Sequence, residues 1–371
     1  MNGFKLAVVS DIHLGNKRNT ADFIIKNLRQ AFPNNSETAD LDMIVLAGDV
    51  FDDLLHLSDP FIHDIDCWIT DFLRLCVLFD ITVRVIKGTP SHDWNMSARF
   101  HTLNHISEIG CDLKYVDELS IEHIDRFNID VLYVPDEWDE SCEKTLSQVH
   151  QLMTLKGIKQ VDYAFMHGQF EFQLPEFVKA PRHDSASYLS IVRKLIFIGH
   201  VHIFSRHDRI IAQGSFDRLS HNEQSAKGHV RAVVYDEDYE LTFVENKNAR
   251  RFDTIECSDL DLAQTLKTIE SVVKDIPDES FVRISCTRDN PILTNMDQLA
   301  KDWPTITWSK VVRETEDDIK NSKNNSLSDN EFIPITITRD NIHKLITERL
   351  VNKNITPKVF SRCEQFILEM R

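Results

Sequence analysis

Five short apolar runs, each giving way to Asp or His, set the rhythm of the chain. The run Leu6-Ala7-Val8-Val9, within FKLAVVSDIHLG (4 to 15), has the length and residue types of a buried strand and stops just before Asp11, His13 and Gly15. MIVLAGDVFDD (43 to 53), VRVIKGTPSHD (83 to 93), YAFMHG (163 to 168) and KLIFIGHVH (194 to 202) repeat the arrangement. Between them the apolar period changes to that of helices. Thr20 to Phe32 places Phe23/Ile24, Leu28 and Phe32 on one face and stops at Pro33. Phe61 to Phe79 repeats apolar residues every three or four positions. Strand alternating with helix predicts an α/β layer fold. Ligands of such folds bind beyond the carboxyl ends of the strands, so the five strand ends are expected to converge on one pocket.

Further along, short alternating runs between 112 and 134 predict hairpins, a polar helical stretch covers 139 to 156, and RAVVYDEDYELTFVENK predicts a hairpin turning at its acidic centre. Residues 1–245 are thus expected to form one domain with two sheets. A helix by spacing, Asp259 to Lys274, and the strands FVRISC and TITWSKVV predict a small α+β domain over 246–316. Residues 317–331 are polar and read as a flexible linker. Two amphipathic segments in 332–371 predict a helix-loop-helix. Helices so short bury little surface alone, so this tail is expected to dock on another surface.

Composition sharpens the picture in three places. Only 10 of 371 residues are Gly, yet Gly15, Gly48, Gly88, Gly168 and Gly199 all fall at these strand ends, which chance placement would not produce. A formal charge of −17 argues against bulk attraction to nucleic acid or anionic membrane and leaves room only for local basic contacts. Seven cysteines without a CxxC pair, no cleavable signal pattern, and no apolar run near the roughly 20 residues of a membrane span predict a reduced, cytoplasmic chain.

The residues at the strand ends carry the chemistry. Asp11, His13, Asp49, His167, His200 and His202 are oxygen and imidazole donors without a thiolate, a set that suits Mn, Fe or Zn in a catalytic rather than a structural centre. Six donors exceed what one ion with an open position takes, whereas two ions sharing a bridging carboxylate fit, with Asp49 as the bridge. Such a pair lowers the pKa of water to about 7 and clamps the oxygens of an in-line phosphoryl displacement. The expected reaction is phosphoester hydrolysis. His92 beside Asp93 suits a general acid oriented by its neighbour.

The motifs DIH (11 to 13), GDVFD (48 to 52), HD (92 to 93), HG (167 to 168) and GHVH (199 to 202) resemble those of the calcineurin-like metallophosphoesterase superfamily. Together with QGSFDRLSHNEQSAKG (213 to 228) and ENKNARRF, they are similar to SbcD-type nuclease subunits of double-strand-break processing, from a bacterium or one of its viruses. The resemblance implies a two-sheet β-sandwich flanked by helices, a capping domain at 246–316, and a tail that grips an SMC-like, SbcC-type ATPase. It implies one metal on Asp11, His13, Asp49 and His202, a second on Asp49, His167 and His200, His92 as acid and Asp93 as its orienting partner. The activity it implies is that of a Mn²⁺-dependent 3′-to-5′ exonuclease, with endonuclease activity on single strands, in a homodimer. In the family an Asn precedes the His-Asp pair and binds the second metal; here Ser91 stands there, so a weaker second site is expected. Lys17, Arg18, Arg99, Arg218, Lys247, Arg250 and Arg251, with Arg182, Arg206 and Arg209, are the candidate DNA contacts, Arg218 foremost. The competing readings are a phosphodiesterase or phosphatase acting on a small molecule or phosphoprotein, and a scaffold subunit with weakened catalysis.

Overall fold

The computed structural model describes residues 3–135, 141–175, 177–221 and 223–313. The predicted linker and tail lie outside the described residues. In chain order, β1 (Phe4–Val9), β2 (Met43–Ala47), β3 (Thr82–Ile86) and β4 (Leu113–Val116) build a first sheet, and the chain then crosses to a second. That sheet holds β5 (Ser120–Ile124), β6 (Ile129–Val134), β7 (Val161–Gly168), β8 (Val192–His200), β9 (Ser205–His207) and β10 (Ile210–Ala212). The chain returns to the first sheet with β11 (Gly228–Val234) and β12 (Tyr239–Glu245), and ends in β13 (Phe252–Glu256), β14 (Phe281–Thr287) and β15 (Thr307–Arg313). The sheet orders are β12-β11-β1-β2-β3-β4, β5-β6-β7-β8-β10-β9 and β13-β14-β15.

The two large sheets face each other, because alternate residues of each strand belong to different cores. Ala7, Val9, Ile44, Leu46, Val83 and Val85 pack under the helices Ala21–Ala31 and Ile62–Leu78. Their neighbours Leu6, Val8, Met43 and Val45 meet Tyr133, Tyr163, Phe165 and Phe197 of the second sheet. Ala164, Met166, Ile196 and Ile198 then pack under the helices Cys142–Lys156 and Ser185–Ile191. The result is an α/β sandwich with mixed sheets, helices covering both outer faces. Strands β2 and β3 are buried along their whole length, which is why they read as unbroken apolar runs rather than alternating ones.

Two expectations are corrected. Only the second part of 112–134 is a hairpin, β5–β6; β4 instead pairs with β3 in parallel after the helix Arg99–Ile106. As a half-exposed edge strand it alternates like a hairpin strand, and the pattern alone does not tell them apart. In the third unit all three strands are parallel, with Leu262–Val273 and Met296–Asp302 in the crossovers over a separate core of residues such as Ile269, Val282 and Ile284. That makes it a wound α/β layer rather than an α+β unit. No helix among the described residues is long and apolar enough to cross a membrane.

Candidate metal centre

Beyond β1 and β2 the chain continues as two loops zipped together. Asp11 N donates to Gly48 O, Ile12 N and His13 N to Asp49 O, and Leu14 N to Val50 O, at 2.8–3.1 Å. Ser10 bridges to Ser215, which brings in the loop after β10, and β7 and β8 run in parallel until Gly168 faces His200. Five strand ends and one further loop therefore meet. Their backbone is unusual: Asp11, His13, Asp49 and His200 have φ of +50°, +56°, +46° and +97°, a left-handed region that costs non-glycine residues roughly 1–3 kcal/mol each. Gly48, at φ +88°, is required in its place because a Cβ there would lie 2.1 Å from His167 Nδ1. A Cβ on Gly88 would meet Asp49 N at the same distance. The glycines at these strand ends thus let ligand-bearing loops touch.

The six predicted donors fall into two groups, and His13 also belongs to a third with Asp52 and His92. Asp11, His13 and His202 form one, and Asp49, His167 and His200 the other, the donor atoms of each lying within 4.8 Å of one another. In the first, His13 Nε2 and His202 Nε2 are 3.3 Å apart and Asp11 Oδ1 is 3.7 Å from His202 Nε2. In the second, His167 Nε2 is 3.3 Å from Asp49 Oδ2. Asp11, His167 and Asp49 are all but inaccessible to solvent.

The opposite nitrogens explain which atoms face inward. His13 Nδ1 lies 2.9 Å from Asp52 Oδ1, His202 Nδ1 3.1 Å from Glu223 Oε1, and His167 Nδ1 2.8 Å from Ala47 O. At His202 and His167 the acceptor at Nδ1 fixes the proton there and turns the Nε2 lone pair into the cluster, whereas the Asp52 carboxylate stands beside His13 Nδ1 without an aligned hydrogen bond. Two lone pairs 3.3 Å apart repel unless a cation, a proton or a metal ion, stands between them. The donor set fits divalent ions on that ground. Charges follow the same logic. Burial would raise the Asp49 carboxyl, but the imidazoles of His167, His13 and His92 outweigh it and hold it well below the usual carboxylate range. Burial also opposes ionisation of Glu223, yet the hydrogen bond to His202 and the ammonium of Lys227 bring it down to about 2. Lys227, fully buried, donates to His202 O (2.7 Å) and Ser215 Oγ (2.8 Å) and pairs with Glu223 (2.9 Å).

The predicted metal ligands are thus brought together, although Asp49 groups with the second set alone. Ser91 is not among them: it is exposed, and its carbonyl accepts from Trp94 Nε1. The side chain in that space is Thr89, whose hydroxyl stands 3.2 Å from Asp49 Oδ2. It is the first residue after Gly88, not the one before His92, that points inward. Asp93 does not hold His92 either. Its carboxylate accepts from Gly88 N, Ser97 N and Ser97 Oγ, bracing the loop, while His92 Nδ1 rests 3.2 Å from Asp52 O. Asp52, Glu223 and Lys227 were missed as site residues, although their motifs, GDVFD and QGSFDRLSHNEQSAKG, hold a carboxylate or a Lys close to a ligand.

The basic candidates divide sharply. Arg99 is committed to Asp66, and Arg250 to Glu279 while lying over the rings of Phe23 and Phe281. Arg218 donates to Ala249 O and Ser225 O, and Arg251 pairs with Asp253. Arg182 and Arg209 likewise donate to backbone carbonyls, and Arg206 to Tyr239. Lys17, Arg18, Arg206 and Lys247 are the exposed members of the predicted set, and of these Arg206 is held by Tyr239. The guanidinium of Arg218, half-buried, ties together the loops at 225 and 249.

No protein-family profile and no curated protein matches the chain. Among solved structures, the crystal structure of TT1561 of Thermus thermophilus is 9% identical, with 65% of this chain and 98% of that one covered and a TM-score of 0.40. A second crystal structure is 13% identical with the same coverage and score. Likenesses at that score carry no argument about what the chain does.

Proposed function

We propose that this chain is an SbcD-type nuclease subunit of calcineurin-like fold: a two-metal phosphodiesterase that uses Mn²⁺ and cuts DNA as a 3′-to-5′ exonuclease and single-strand endonuclease, beside an SMC-like ATPase. The hydrolase reading rests on one observation, the facing Nε2 atoms of His13 and His202, each backed at Nδ1 by a carboxylate. Asp11, His13 and His202 would hold one ion, and Asp49, His167 and His200 the other. Divalent ions there supply Lewis acidity to a phosphoryl oxygen and acidify water, the two demands of phosphoester hydrolysis. Asp52 lies between two of these groups, its carboxylate placing negative charge beside His13 and its carbonyl orienting His92. With Nδ1–H held by that carbonyl, His92 in its imidazolium form would carry a second proton on Nε2, give it to the departing oxygen and return to the neutral Nδ1–H tautomer.

The test uses the full chain with Mn²⁺, a chromogenic phosphodiester and end-labelled DNA. Asp49→Asn abolishes hydrolysis of both; activity that survives the substitution contradicts the reading. A second reading, hydrolysis of a small phosphodiester, is favoured by the commitment of most predicted DNA contacts to internal partners. The two separate cleanly. Replacing Lys17, Arg18 and Lys247 by Ala lowers DNA cleavage and flattens its salt dependence but spares the small diester if DNA is the substrate. No cleavage of DNA by the wild type, with the diester hydrolysed, favours the alternative. The capping role of 246–316, homodimer formation, and the grip of 332–371 on the ATPase belong to the same proposal, and deleting 332–371 is expected to abolish ATPase binding alone.

A further inference from the structure

Thr89 is placed as a helix cap but does not act as one. It precedes the short helix Pro90–Asp93, where a threonine hydroxyl ordinarily accepts from the first turn, yet it makes no side-chain cap bond there. The amides of His92 and Asp93 are taken by its carbonyl instead, at 2.9 and 2.8 Å. Its own amide donates to Asp49 Oδ1 at 2.7 Å, which pins the residue against that carboxylate. The hydroxyl then stands 3.2 Å from Asp49 Oδ2, 3.4 Å from His167 Nε2 and 3.3 Å from His200 Nδ1.

Donors sharing one ion through bonds of about 2.0–2.2 Å stand about 3.0–3.6 Å apart, whether the arrangement is octahedral or tetrahedral. All three separations, and the 3.3 Å between Asp49 Oδ2 and His167 Nε2, fall in that range, and the three partners converge on the one hydroxyl. The close approach depends on Gly88, where a Cβ would strike Asp49. We propose that Thr89 Oγ1 is the fourth protein donor to a divalent ion held by Asp49, His167 and His200. The proposal rests on the paired-ion reading of the site and assigns the position expected of residue 91 to residue 89.

Calorimetric titration of the full chain with Mn²⁺ alone tests it. Wild type binds two ions. Thr89→Val, equal in shape but without the oxygen, keeps one affinity and weakens the other by about tenfold or more. Thr89→Ser restores both, and Ser91→Ala changes neither. Two unaltered affinities in Thr89→Val overturn the proposal, whereas fewer than two ions on the wild type overturns the paired-ion reading before Thr89 enters. Crystals grown with Mn²⁺ separate a bond to the ion from a bond to Asp49 alone. An anomalous peak among Asp49, His167 and His200 is expected within bonding reach of Oγ1, and a peak there with Oγ1 turned away contradicts the assignment.

Discussion

At the scale of single residues, the site is made by side chains that accept awkward backbone and by glycines that leave room for them. Gly48→Ala meets both limits, a positive φ and an imidazole 2.1 Å from the new methyl. It is expected to cost more than about 1 kcal/mol in urea denaturation and to release His167, seen as loss of one Mn²⁺. Unchanged stability and two bound ions would refute that account of Gly48. The Asp and His donors that converge were legible in the sequence because Asp and His seldom follow a buried strand five times over. Thr89 was not, because threonine is common in loops and only the fold shows which residue of GTPSHD turns inward. Asp93 misled for a related reason: adjacency to His92 suggested contact, but successive residues of a helical turn point in different directions.

At the scale of elements, one buried side chain ties the sheets. Arg84 on β3 makes two bonds of 3.0 Å to Glu122 on β5 and one of 3.1 Å to Asp112, and Tyr133 on β6 donates to the same Glu122. Burial disfavours ionised Glu122, and the Arg84 guanidinium more than reverses this, holding it below the usual carboxylate range. Arg84→Met leaves that carboxylate without its main partner. It is expected to destabilise by the lower part of about 3–5 kcal/mol, because Glu122 keeps some contact with water. The double variant Arg84→Met/Glu122→Leu should recover much of the loss. Equal destabilisation of single and double variants would show that shape rather than charge ties the sheets. Element types were legible wherever burial was two-sided or helical spacing was long. Strand pairing was less so, since β4 alternates as a hairpin strand does and only its neighbour reveals the crossover.

At the scale of the whole molecule, a buried imidazole couples stability to pH. His229 on β11 is driven down to about 3 by burial, with the Arg231 guanidinium adding to the effect. Its folded pKa lies below the ordinary 6.5, so its contribution is intact above pH 6.5 and is lost as pH falls toward 3, by up to about 1.4 kcal/mol per pH unit. Urea midpoints at about pH 7.5 and about pH 5, on either side of the ordinary imidazole pKa, should differ less for His229→Gln than for wild type, and an unchanged difference would contradict this. Two sheets and strand ends that meet followed from the apolar runs, whereas the facing of the sheets was implied only by the family resemblance. The fate of the arginines did not, because a charged residue in sequence carries no sign of the carbonyl that awaits it. The central claim is that donors from distant strand ends form two cation sites in one cavity, and equilibrium dialysis with metal analysis counts them directly. Wild type should hold two Mn²⁺ per chain, and Asp11→Ala and His167→Ala one each. One ion or none on the wild type, or two on both variants, would contradict the account.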